Sequence, residues 1–164
     1  STALKLVKDG SDQAMDPPRY CMRLEPRPTL GLGLILKKMM SNLCVLGPME
    51  KSLKRLGVSE VETLCLHGSG GGSMGFPAWV YDAAVEAYRQ GMCSKIGVSH
   101  KNITMPALKK AYEALQSRGV ALSCCFVELS LLDLKALKLL EECKALGIQV
   151  FAREALGRGE LASG

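Results

Sequence analysis

Few residues of this 164-residue chain have side chains suited to chemistry: seven cysteines (21, 44, 65, 93, 124, 125 and 143), His67 and His100, and the glycine-rich stretch GSGGGS at 68 to 73. The cysteines form no C-x-x-C pair, and the two histidines stand 33 residues apart (100 minus 67), so the ligand spacing of a zinc site is absent. No metal site is expected. Cys65, Cys93, Cys124 and Cys143 fall inside apolar runs, where a thiol packs as a small hydrophobe. The odd total of seven cysteines favours a reduced intracellular or organellar setting. Cys124 and Cys125 are adjacent within a strand-like run and so point to opposite faces, which argues against a redox or metal module. The glycine-rich stretch lacks the Lys-Ser/Thr ending of a P-loop and reads as a connector.

The elements that must position such residues emerge from residue 47 onward. Gly47-Pro48 opens a helix in which Met49, Leu53 and Leu56 share a face and which Gly57 ends. VETLCL (61 to 66) reads as a strand. WVYDAAVEAYRQ (79 to 90) reads as a helix with Val80, Ala84, Ala87 and Tyr88 inward and Gly91 just past its end. CSKIGV (93 to 98) is a strand, and TMPALKKAYEALQSR (104 to 118) a helix with Thr104 as candidate N-cap. ALSCCFV (121 to 127) is a strand. DLKALKLLEECKAL (133 to 146) is a helix with Leu132, Ala136, Leu139, Leu140 and Cys143 inward, and IQVFA (148 to 152) is one more strand.

Strand starts at 61, 93, 121 and 148 are 32, 28 and 27 residues apart, the beat of a βα repeat. Helical crossovers impose parallel pairing, and strands covered on both faces read as continuous apolar runs, as these do. The fold class is therefore α/β, with four adjacent parallel strands expected over 61 to 152 and helices on their outer face. An open doubly wound sheet and a (β/α)₈ barrel, whole or partial, both satisfy the pattern. Residues 1 to 46 form a separate region, an irregular basic arm with DPPRY (16 to 20) and EPRPT (25 to 29) as turns and one strand candidate in LGLGLILKKMM, ending at Lys37.

The composition, 48% apolar and 23% charged, is that of one soluble globular domain and excludes wholesale disorder. No apolar run reaches the roughly 18 residues of a membrane span, and STALKLVKDGSDQAM has no secretory signal pattern. The net charge of +5 lies entirely in residues 1 to 57, which carry ten basic and five acidic side chains, against eleven of each in 58 to 164. That excess is too small, and aromatic residues too scarce, for a nucleic-acid surface.

SLKRLGVSEVETLCLHGSG, KIGVSHKN, VELSLL and ALGIQVFAREALGRGEL, in that order, resemble the aldo-keto reductases, NADPH-dependent carbonyl reductases on a (β/α)₈ barrel. The likeness is closest to the plastid-type members of plants and algae and covers about residues 47 to 164. It selects the barrel over the open sheet and places the four strands as about the fourth to seventh of a partial, TIM-barrel-like sheet.

The resemblance also implies roles. In the family a Tyr donates the proton, tuned by a Lys and an Asp, while a His at the end of the fourth strand orients the carbonyl. His67 occupies that histidine's position, and Lys37 lies about where the family's Lys does. Asp16 and Tyr20 match the acid and the tyrosine only superficially, because two prolines separate them and no strand precedes them. At the end of the fifth strand Ser99 matches a ligand of the nicotinamide carboxamide, and His100 replaces the usual Asn beside it. Phe126 stands where a Gln would bind the same amide, and Arg153 where an aromatic would stack on the nicotinamide ring. Leu156, Gly157 and Arg158, within LGRG, retain part of the family's cofactor loop.

Two functional expectations follow. The departures at Phe126 and Arg153 favour a non-catalytic accessory or scaffold subunit, with no bound cofactor, held by protein partners in a larger, plastid or photosynthetic assembly. The alternative is an NADPH-dependent carbonyl reductase, present as a fragment or a diverged member.

Overall fold

The computed structural model describes residues 21 to 24, 39 to 68, 76 to 100 and 102 to 162. Lys37, Asp16, Tyr20, most of the candidate strand before Lys37 and most of the glycine-rich stretch lie outside the described residues. Five strands form a single sheet in chain order: β1 (Cys21–Leu24), β2 (Val61–His67), β3 (Cys93–Ser99), β4 (Leu122–Glu128) and β5 (Gln149–Arg153). Every pairing is parallel. The helices α1 (Gly47–Leu56), α2 (Ala78–Arg89), α3 (Met105–Gln116) and α4 (Leu137–Ala145) lead into successive strands from β2 to β5. The four expected strands are adjacent and parallel, and the whole is an α/β arrangement consistent with part of a (β/α)₈ barrel.

One side of the sheet packs on the helices and forms the core. Leu64 and Leu66 of β2, Ile96 and Val98 of β3, and Cys125 and Val127 of β4 are buried there against Val45, Met49, Val80, Ala84, Leu108, Ala111, Leu115 and Leu139. Between β3 and β4 the register shifts by one residue, so Leu122 pairs with Ile96 and Cys124 with Gly97. This bulge returns Cys124 to the face opposite the helices and Cys125 to the helix side, where its Sγ lies 3.8 Å from that of Cys143 on α4. No cysteine described with its side chain is in a disulfide, and Cys65, Cys93, Cys124 and Cys143 are buried as their apolar setting implies.

The helices differ from expectation at their ends. α1 extends a helical run from Met39 through a π-turn at Asn42–Leu46. The Gly47 amide there donates back to Asn42, and a Cβ on Gly47 would lie 2.8 Å from the Asn42 carbonyl oxygen. Thr104 occupies the N-cap of α3 but makes no side-chain capping bond. Tyr88, expected inward on α2, is exposed, because it lies at the edge of the stripe formed by Val80, Ala84 and Ala87.

α4 starts four residues later than the pattern predicts, since the Ser130 hydroxyl accepts the amides of Leu132 and Asp133 and Asp133 accepts that of Lys135, which favours a turn over a first helical turn. Leu132, expected in the core, is consequently 56% exposed. The N-terminal region, expected to be irregular up to residue 28, contributes β1, whose Cys21 to Leu24 pair with Thr63 to Leu66. Four residues flanked by prolines are too short to show a period, so only the neighbouring strand reveals them.

Two outcomes test this packing. A Cβ on Gly97 would sit 2.5 Å from Cys124 Sγ and 3.1 Å from the Cys124 carbonyl oxygen. Gly97→Ala is therefore expected to cost about 1–3 kcal/mol in urea unfolding, and adding Cys124→Ala should recover only part, because the backbone oxygen stays. Burial pushes the Cys93 thiol from its ordinary 9.0 up to about 11, which outweighs a hydrogen bond from the Leu64 backbone that lowers it. The raised folded value means the neutral thiol's stabilisation is complete below pH 9 and is lost as pH rises towards 11. Unfolding free energy measured across that interval should fall less steeply in Cys93→Ala than in the parent chain.

Candidate functional site

Parallel strands end together, so the C-terminal ends of β2 to β5 bring one row of residues side by side. In register these are His67, Ser99, Phe126 and Phe151. Side chains alternate along a strand, and because Leu66, Val98, Cys125 and Val127 face the helices, this row faces the other, barrel-interior side. One step deeper on the same side lie Cys65, Gly97, Cys124 and Gln149, and one step beyond the row Glu128 pairs with Arg153.

The row is unequal along its length. At the β2 and β3 ends, His67, Ser99 and His100 are all buried. The Gly68 amide bonds the Ser99 carbonyl oxygen at 3.1 Å, which continues the ladder one residue past β2 and fixes the strand end. The Asn102 amide donates to His100 Nδ1 at 3.0 Å, so the neutral ring carries its proton on Nε2. At the β4 and β5 ends, the Phe126 and Phe151 rings stack with centroids 4.8 Å apart and planes 15° from parallel. Phe151 is 38% exposed, so this stack leaves an aromatic surface on the interior side.

Beyond the phenyl rings lies a charged cluster. Glu128 Oε1 accepts a hydrogen bond from Arg158 at 3.0 Å and lies 3.5 Å from the Arg153 guanidinium. Two guanidiniums thus share one carboxylate oxygen, and the Nε of Arg153 is buried without a hydrogen-bond partner among the described residues. Arg158 is brought into reach by the turn after β5: Gly157, Arg158 and Gly159 all adopt positive φ, at 59°, 58° and 103°. A Cβ on Gly157 would lie 2.6 Å from Cδ1 of the exposed Leu132, whose flexible side chain can yield, so it is the positive φ that favours glycine there.

Six of the seven site residues singled out from the sequence fall in two places. His67, Ser99 and His100 converge at the ends of β2 and β3, whereas Leu156, Gly157 and Arg158 form the turn at the end of β5. Lys37 lies outside the described residues. Glu128 was not singled out, because its partners are adjacent only through the β4–β5 register and the turn behind it. Among the described residues no cluster of three or more potential metal ligands is present.

A family model described as "Aldo/keto reductase family" matches residues 36 to 164. Among solved structures, a thermostable aldo-keto reductase in complex with the inhibitor epalrestat is 25% identical, with a TM-score of 0.64, over 84% of this chain and 44% of its own. An aldo-keto reductase from Bacillus halodurans, in its holo form, is 20% identical with a TM-score of 0.59, over 72% of this chain and 38% of that one. Gox0644, as a mutant in complex with NADPH, is 23% identical with a TM-score of 0.58, over 73% of this chain and 41% of that one. The chain thus spans about two fifths of the length of these structures. No curated protein matches it significantly.

The shared carboxylate gives this geometry a measurable signature. Glu128→Gln should cost about 1–3 kcal/mol in chemical denaturation, since it leaves the partly buried Arg153 guanidinium without its counter-charge. Arg158→Ala, which removes the more exposed partner, should cost less than about 1 kcal/mol.

Proposed function

The chain belongs to the aldo/keto reductase family, and from that membership we propose that the protein reduces carbonyl compounds with NADPH, this chain supplying the groups at the ends of β2 and β3. One observation carries the reading: His67 and Ser99 are register partners, both buried, on the interior side at the C-terminal ends of adjacent parallel strands. Barrel enzymes build their active sites at that end.

The side chains present suit the cofactor in most respects. Ser99 offers a hydroxyl and His100 an Nε2 proton, a donor set suited to a carboxamide. A planar guanidinium such as that of Arg153 can lie against a neutral aromatic ring. Phe126 takes away one hydrogen bond of the family pattern. NADPH, when bound, supplies hydride.

The roles of the chain's own residues follow from the family pattern and this geometry. His67 donates to the carbonyl oxygen of the substrate and holds it in place as negative charge develops there. Ser99 and His100 orient the amide end of the cofactor, and the stacked Phe126 and Phe151 keep water from that side of the site. The turn at Leu156, Gly157 and Arg158 borders the same strand ends.

A second reading, a non-catalytic subunit within a larger plastid assembly, draws its support from Phe126 and from the charge on Arg153. Partners and plastid location belong to this proposal.

Incubating the full-length protein with NADPH and an aromatic aldehyde, and following NADPH absorbance, separates the two. Turnover is expected, with His67→Ala lowering kcat/KM by about 10²- to 10³-fold, as for loss of one donor to a developing oxyanion. A folded protein that binds no NADPH and shows no turnover would favour the non-catalytic subunit.

A further inference from the structure

We infer that Arg153 makes this site discriminate between the two redox states of its cofactor, holding NADPH more tightly than NADP⁺. The inference rests on the reductase reading, in which the end of β5 faces the nicotinamide ring. NADPH and NADP⁺ carry the same phosphates and differ in charge only at that ring, which is neutral when reduced and cationic when oxidised. A fixed positive charge near the ring therefore leaves the reduced form unpenalised and repels the oxidised one.

The structure supplies such a charge, and among the described residues its counter-ion is a shared one. Arg153 is the last residue of β5 and pairs in register with Glu128. Its counter-ion is shared, since Glu128 Oε1 also accepts from Arg158 at the shorter distance of 3.0 Å, against 3.5 Å for Arg153. One carboxylate between two guanidiniums leaves the group with a net charge of +1. The Arg153 and Glu128 side chains are 22% and 13% exposed, so solvent and salt screen them less than they would surface ions. The buried Arg153 Nε has no hydrogen-bond partner among the described residues, so they do not fully satisfy this guanidinium. A neutral aromatic residue at this position would stack on either redox state, whereas a guanidinium accepts the neutral ring and disfavours the pyridinium. The site is thereby biased towards loading NADPH and releasing NADP⁺.

The test compares dissociation constants of NADPH and NADP⁺ for the full-length protein, by calorimetry or quenching of protein fluorescence, without turnover. The parent protein should bind NADPH about tenfold or more tightly than NADP⁺. Arg153→Met should narrow the ratio, and Arg153→Lys should keep most of it. Arg158→Met leaves Glu128 wholly to Arg153 and should also narrow it, whereas Glu128→Gln removes the shared counter-charge and should widen it. Binding of both nucleotides with a ratio that Arg153→Met does not move would overturn the inference and leave the reductase reading standing. Binding of neither by the folded parent protein would overturn both.

Discussion

Parallel pairing is the constraint on which the rest of this structure depends. It obliges the chain to return from the end of each strand to the start of the next, and from β2 to β5 that return is made by a helix and its loops. The helices all arrive on one side of the sheet, and burial of Leu64, Leu66, Ile96, Val98, Leu122 and Val127 against them supplies the core. The other side is left for residues with different work. Because all strands run the same way, their C-terminal ends coincide, and residues far apart in sequence, from His67 to Phe151, become neighbours.

Within that row, chemistry and packing divide the strands between them. The β2 and β3 ends carry buried polar groups on a backbone fixed by ladder bonds, with the ring proton of His100 assigned by the Asn102 amide. The β4 and β5 ends carry a phenyl stack and an ion cluster, whose geometry comes from a cross-strand pair and from a left-handed turn through Gly157, Arg158 and Gly159. The buried polar groups at the β2 and β3 ends and the ion cluster at the β4 and β5 ends are thus held by separate devices on one sheet. The family match, over residues 36 to 164, takes in all four of these strand ends.

Much of this was legible in the sequence because its signals are local. Strand spacing gave the parallel sheet, and apolar periodicity gave most of the inward faces of α1 and α2. His67, Ser99 and His100 could be placed because each follows directly on a recognisable strand. What escaped was decided by contacts that apolar spacing does not carry, most of them between distant segments. β1 is four residues long and is a strand only because β2 offers it a partner. The late start of α4 depends on the Ser130 hydroxyl outcompeting the helix for two amides, a local bond that apolar periodicity does not register. The cluster around Glu128 needs the β4–β5 register and the left-handed turn at Gly157 before its charges meet.

The identity of strand order and chain order bears on how the molecule is made. Among the described strands each pairs with its immediate predecessor, so no strand waits for a partner synthesised later than its own successor. As the polypeptide leaves the ribosome, each new βα unit finds its docking edge already assembled, and the sheet can lengthen vectorially at the pace of translation. The growing edge at any moment is the newest strand, which makes the waiting time of that edge an interval in which a nascent chain of this design is open to mispairing.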